Sequence, residues 1–341
     1  MKLSDRFSYK KLLKFTFPTI IMMIFTSIYC VVDGFFISNF AGASYEESQN
    51  AFEAVNFIYP YLLVLGSFGF MFGTGGAALI SKVFGEGDNE KANSIFSLVV
   101  YVSIFTGIVL SILGFVFIKP FCHMLGAEGA LLTDSLRYGR ILLFAIPFFL
   151  VQYEFQCLFT AAEKPKLGLI ITLGAGVTNI VLDALLVAVF KLGLEGAAVA
   201  TALGQVVGSV IPLIYFTLPN KSKLRLTKLK FDFKSIVKVC TNGSSELMSN
   251  IAMNVVSMLY SFQLIKYTTN GEGLAVYGVL MYVSMIFNAI FFGFTTGSSP
   301  IVSFNYGNKN TVELKSMFKK SVVLIAIFSV CMFIFGFVLA K

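Results

Sequence analysis

Four acidic side chains, Asp33, Glu154, Asp183 and Glu246, stand inside long apolar stretches of the sequence. An ionisable group inside a membrane span costs a few kcal/mol to insert. By default it marks an ion pathway, a proton relay or a ligand counter-charge. Asp33 and Asp183 each fall six or seven residues before the outer end of their stretch. At 1.5 Å of helical rise per residue they share a depth, roughly 10 Å below that end. Asn179 lies one turn before Asp183 on the same helix face, and Thr201 lies a few residues into the next stretch from the same side. Asp33, Asn179, Asp183 and Thr201 are therefore expected to converge in one polar pocket that holds a proton or a sodium ion. The alternative is that each carboxyl is hydrogen-bonded glue between helices. Two acids at one depth with an amide beside them favour the cation site. Glu154 is a further polar-site candidate for which the structural reading is favoured: it is expected near the inner end of its helix, facing the cytoplasmic interface or paired with Lys164 or Lys166. Glu246, roughly 12 Å deep, reads equally as a further polar site or as a helix-start acid. Pro18 removes one backbone hydrogen bond from the first stretch, which makes it a candidate hinge or a static kink.

The elements that must position these groups are membrane helices. Apolar residues make up 57% of the 341, charged residues only 13%, and mean hydropathy is +0.82. A soluble domain carries about 25% charge. About 20 apolar residues suffice to cross a bilayer as a helix. Nine stretches qualify, near 15–39, 55–83, 95–118, 138–160, 168–190, 196–218, 239–264, 274–300 and 321–340, and the seventh is weakened by its polar start, Thr241 to Glu246. The first is too long for a signal-peptide core and lacks a cleavage site, so it is expected to remain as a span. The fold class expected is an all-α, multi-pass membrane protein.

With the N-terminus inside, twenty of the 26 lysines and arginines fall in cytoplasmic segments, most densely in 219–238. This imbalance orients the chain in the cell membrane and explains the net charge of +8 without a nucleic-acid partner; the basic residues face anionic lipid. Five scattered cysteines do not form a disulfide scaffold, and the single His123 cannot build a histidine metal cluster. The spans offer no nucleophile, base and orienter set, so an enzyme is not expected, and neither is a cofactor beyond a coupling H⁺ or Na⁺.

Shifting the chain against itself by 222 residues pairs Phe70 with Phe292, Thr74 with Thr296, Gly75 with Gly297, Ser81 with Ser303 and Gly85 with Gly307. Both copies run the same way through the membrane, the pattern of a parallel repeat. On this logic residues 1–218 form a first six-helix lobe, 219–238 a basic cytoplasmic linker and 239–341 three helices of a second lobe. Three further helices, roughly another 100 residues, would complete the pair.

Three stretches carry a resemblance to the MATE (multidrug and toxic compound extrusion) family. These are Val32-Asp33-Gly34-Phe35-Phe36-Ile37-Ser38; Gly73-Thr74-Gly75-Gly76 through Gly85-Glu86-Gly87-Asp88; and Thr178-Asn179-Ile180-Val181-Leu182-Asp183 followed by Gly193 to Thr201. Gly297 to Asn305 is similar to the second-half counterpart. The resemblance implies a two-lobe bundle of twelve helices, of which about nine are present. It implies a monomeric antiporter that exports amphipathic, often cationic compounds in exchange for H⁺ or Na⁺. It also implies the first-lobe cation site at Asp33, Asn179, Asp183 and Thr201. Gln156 stands where the family often has Asn, but by residue count it lies well below the other four. A related flippase of lipid-linked sugars would be expected to use cationic cavity residues, and a transport-inactive truncated copy is the remaining alternative.

Overall fold

The computed structural model describes residues 2–220, 222–267 and 272–339. Expectations resting on Lys221, on the Lys266 side chain and on Lys341 lie outside the described residues. Nine α-helices are described: α1 Tyr9–Phe40, α2 Tyr45–Gly85, α3 Asn89–Met124, α4 Gly129–Ala161, α5 Pro165–Asp183, α6 Gly193–Thr217, α7 Phe233–Tyr267, α8 Glu272–Gly307 and α9 Thr311–Leu339. Eight are long and apolar enough to cross a membrane. The exception is α7, where Asn250 and Asn254 extend the polar run from Thr241 to Glu246 and dilute the apolar window.

Most helices start earlier than their apolar runs because polar residues outside the runs cap them. Ser8 accepts the Lys11 N–H at the start of α1, and Asp88 accepts that of Lys91 at the start of α3. Ahead of α2, Ser44 accepts the Glu47 N–H while the Glu47 carboxylate takes that of Ala43, a reciprocal cap. At α7 the cap is Asp232, whose Oδ2 accepts the Ser235 hydroxyl at 2.7 Å. The helix thus begins at Phe233, six residues inside the expected linker. The rest of the linker is pinned to α3. Asn93 Oδ1 accepts the Arg225 N–H at 2.7 Å and Ser97 Oγ accepts that of Thr227 at 2.8 Å, while Leu224 is fully buried.

Among the first six helices, α4 packs against α2, α3, α5 and α6, and α1 closes on α5. The last three meet this group mainly where α7 runs along α2 and α8 along α1 and α2. The 222-residue shift that relates the sequence also relates these contacts. A Cβ on Gly243 would fall onto the Met71 carbonyl of α2; the shift carries this pair to Ile21 and Gly293, and a Cβ on Gly293 would come within 2.6 Å of the Cα of Ile20, the residue before Ile21, in α1. At the helix ends the exchange is reciprocal. A Cβ on Gly85 would fall onto the Phe304 carbonyl oxygen, and one on Gly307 onto that of Lys82. Phe70 and Phe292, paired by the same shift, meet edge to face with centroids 5.2 Å apart. Pro18 is buried within an unbroken α1, between Thr16, which Gly297 contacts, and Thr19 and Ile20, which Gly293 contacts.

The N-terminal segment lies across the same end of the molecule. Its Leu3 N–H donates to Glu163 after α4 at 2.7 Å, and its Phe7 N–H donates to Glu313 of α9 at 3.0 Å.

Candidate functional site

Asp33 of α1, Asn179 and Asp183 of α5 and Thr201 of α6 are brought together. Close helix approach makes this possible. A Cβ on Gly176 would come within 2.5 Å of the Phe25 ring in α1, and one on Gly204 within 3.1 Å of Asn179 Cβ. Only a residue without a side chain lets α5 sit this near both neighbours. The Asn179 amide donates to Thr201 Oγ1 at 3.4 Å, and the Thr201 hydroxyl donates to Asp33 Oδ1 at 3.5 Å. Asp33 and Asp183 are close enough to interact. Asp183 is 0% exposed and Asn179 2%, whereas Asp33 is partly open.

The cluster leaves a set of polar atoms unused. Neither Asp183 oxygen has a hydrogen-bond partner, and neither does Asn179 Oδ1. Buried polar atoms are nearly always satisfied, and each orphan costs about 1–3 kcal/mol. Two adjacent buried carboxylates repel unless a positive charge joins them. The cluster has the composition of a small cation site: carboxylates, an amide oxygen and a hydroxyl.

A fifth residue belongs to it that the sequence reading missed. Tyr138 of α4 is fully buried, its hydroxyl is in no formed hydrogen bond, and it lies within interaction range of Asp33, Thr201 and Asp183. In the sequence it stands at the edge of its apolar run beside Arg137 and Arg140, where a tyrosine reads as an interfacial anchor. The helix also changes just past Asp183: residues Ala184–Val189 form a π-helical turn. The Phe190 N–H reaches back to the Leu185 carbonyl at 2.8 Å. Such turns recur at functional sites because they add a residue locally and re-aim side chains.

The other candidates lie elsewhere. Glu154 corrects its expectation: it is 0% exposed and enters none of the ion pairs among the described residues, so it neither faces the cytoplasm nor pairs with Lys164 or Lys166. The neighbouring α2 covers it: a Cβ added at Gly73 would lie 3.0 Å from the Glu154 Cα. Gln156 is buried with both side-chain polar atoms unpartnered, and no hydrogen bond joins it to the four. Glu246 stands more than three turns into α7 and is therefore not a helix-start acid. It is partly exposed and lies near Cys157 of α4.

Residues 18–185 and 247–341 match the MatE family profile. A multidrug export protein MepA of Staphylococcus saprophyticus is 26% identical over 330 residues, spanning 96% of this chain and 71% of the relative. The MepA of Staphylococcus haemolyticus is 25% identical over 326 residues, 95% of this chain and 70% of its own length. Among solved structures, an outward-facing multidrug resistance MATE transporter of the MOP superfamily superposes with a TM-score of 0.88 at 20% identity, covering 98% of this chain and 73% of that one. With the profile covering most of its length and an all-helical, multi-pass architecture beneath it, the chain belongs to the MatE family of membrane transporters.

Proposed function

We propose that this chain works as a secondary antiporter in the cell membrane, exporting amphipathic, often cationic organic compounds in exchange for H⁺ or Na⁺. The observation that carries the reading is the Asp33–Asp183 pair, in which Asp183 is fully buried and both of its oxygens, with the neighbouring Asn179 Oδ1, lack partners. A proton shared by the two carboxyls, or a sodium ion among their oxygens and those of Asn179, Thr201 and Tyr138, supplies the missing charge. Without the cation the pair is the stronger attractor for a cationic substrate, so loading and substrate holding compete. Asp33 shares α1 with Pro18 and with the points at which α8 touches that helix. A change of charge at Asp33 thereby acts on the element that joins the first six helices to the last three, which rock about a central cavity as a monomer with the N-terminus in the cytoplasm. The MepA relatives, named as multidrug export proteins, support the substrate class.

The test is efflux of a cationic dye from proteoliposomes holding the purified chain, under an imposed pH gradient or an imposed Na⁺ gradient. Asp33→Asn and Asp183→Asn should each abolish gradient-driven efflux while the protein still inserts and purifies. Full efflux in both variants removes the site, and no response of the wild type to either gradient removes antiport.

A further inference from the structure

The first six helices bury a second carboxyl that the Asp33–Asp183 site does not use. Glu154 is fully buried on α4, and neither of its oxygens has a hydrogen-bond partner. Its helix neighbours Gln152 and Gln156 are two residues away on either side, roughly 200° around the helix, so Glu154 faces the opposite flank of α4. That flank belongs to α2 and α3. Gly73 of α2 packs on the Glu154 backbone, and Ser103 of α3 lies against its carboxyl. Ser103 is itself 0% exposed with an unpartnered hydroxyl. Two buried polar groups on separate helices, neither in a formed hydrogen bond, are therefore neighbours. Glu154 is seven residues from the C-terminal end of α4, while Asp183 is eighteen residues from the start of α5 at that same end. The two acids differ in depth by roughly 15 Å.

We propose that Glu154, with the Ser103 hydroxyl as its partner, is a second proton-binding site. It lies in the half of the molecule nearer the α4–α5 connection and is separate from the Asp33–Asp183 pocket. The inference rests on the cation-exchange reading above for its role, but not for its chemistry. A proton fits where a metal ion does not, because two carboxyl oxygens and one hydroxyl fall well short of the about six oxygens that hard cations take. The facing titratable groups are acids and a thiol. The Cys157 thiol, one turn further along α4, lies within electrostatic range of both Glu154 and Glu246 of α7. A neutral glutamine or a leucine would fill a purely structural position at lower cost, since a carboxyl without partners stabilises nothing. The carboxyl is retained, on this inference, because it exchanges a proton.

Infrared difference spectra of the purified full chain in lipid, recorded between about pH 4 and about pH 9, test this in the carboxylic C=O stretching region. Glu154→Gln should remove one titrating component that Asp183→Asn leaves in place. Ser103→Ala should keep that component but move its frequency and shift its midpoint by about half a unit or more. Should the glutamine variant fail to purify, Glu154→Asp should show the component displaced rather than lost. Glu154→Gln spectra superimposable on wild type overturn the proposal, as does a Ser103→Ala chain with an unmoved component or a Glu154→Asp chain with none. Unaltered efflux in the Asp33 and Asp183 variants would remove the antiport reading without touching the Glu154 band.

Discussion

Alanine at Gly85 or Gly307 should open the end of the molecule at which α2 and α8 meet. The added Cβ of either variant lands on a backbone carbonyl of the other helix. On Gly85 it also comes within 2.9 Å of the Asn308 nitrogen, and on Gly307 within 3.2 Å of that of Glu86. Ordinary contact lies at 3.4–4 Å, and a backbone cannot rotate aside as a side chain can, so the two helix ends must part. Overpacking of this kind costs about 1–3 kcal/mol. Alanine's better helix propensity, about 1 kcal/mol, is gained in open and closed states alike and cancels. The closed population should then fall by about fivefold to 150-fold relative to the open one. The reporter is Ser81→Cys in a chain freed of its five native cysteines. Ser81 is 0% exposed and lies one turn before Gly85 on the same face. Its labelling by a membrane-impermeant thiol reagent should accelerate by that factor in each alanine variant. The double variant should be little faster than either single one, because parted ends accommodate both methyl groups. Unchanged labelling in both single variants would refute the contact, and increments that multiply in the double variant would refute its being one shared contact.

Tyr138→Phe deletes a buried hydroxyl that bonds to nothing. Thermal stability should hold within about 1 kcal/mol, while the midpoint concentration of H⁺ or Na⁺ that drives efflux moves several-fold. Asp232 titrates below its ordinary value of 3.8, because it accepts the Ser235 hydroxyl and the backbone N–H groups of Ser235 and Lys234, with Lys91 nearby. A depressed carboxylate contributes its stabilisation above the ordinary value and loses it as pH falls through the lowered one. Hydrogen exchange in the first turn of α7 should therefore be unchanged between about pH 5 and about pH 8 and rise only below about pH 4. Asp232→Ala should show the faster exchange at every pH, and a loss of protection already at pH 6 in the wild type would contradict the assignment. A cysteine at Lys228 should be labelled only from the cytoplasmic side, because Lys228 lies in the most basic connection of the chain. Labelling from outside would reverse the orientation.

The polar pocket was legible in the sequence because membrane helices turn spacing into depth. Asp33 and Asp183 could be placed at one level by counting, and Asn179 by its four-residue offset. Tyr138 was not legible: at the margin of an apolar run, anchoring and site roles use the same residue type. Glu154 was misplaced for a related reason, since counting residues to a helix end gives depth but not which flank of the helix is covered. The start of α7 failed on a different point, because Asp232 caps a helix whose first turns carry Lys234 and Lys238 rather than an apolar pattern.

The repeat was visible as shared glycines, yet what those glycines do required contacts. Gly85 and Gly307 let two backbones touch where a pair of ordinary residues would hold them apart. Gly243 in the same way lets α7 touch α2 at Met71, and Gly293 lets α8 touch α1 at Ile20. Contacts of this kind bind little apolar area and depend on close fit, so they separate as a unit once either helix tilts. The Asp33 pocket needs the opposite: α5 stays locked to α1 through Gly176 and α6 to α5 through Gly204, so that four side chains keep their positions. Close packing within the first six helices and backbone contact with the last three are both written in glycine, and apolar residues back both: Val83 and Phe84 beside Gly85 are buried, and Phe304 packs against the same cluster. At the rim of the α2–α8 ends the partly exposed Lys82 sits over the Tyr306 ring at 5.6 Å, a contact that water can replace at little cost.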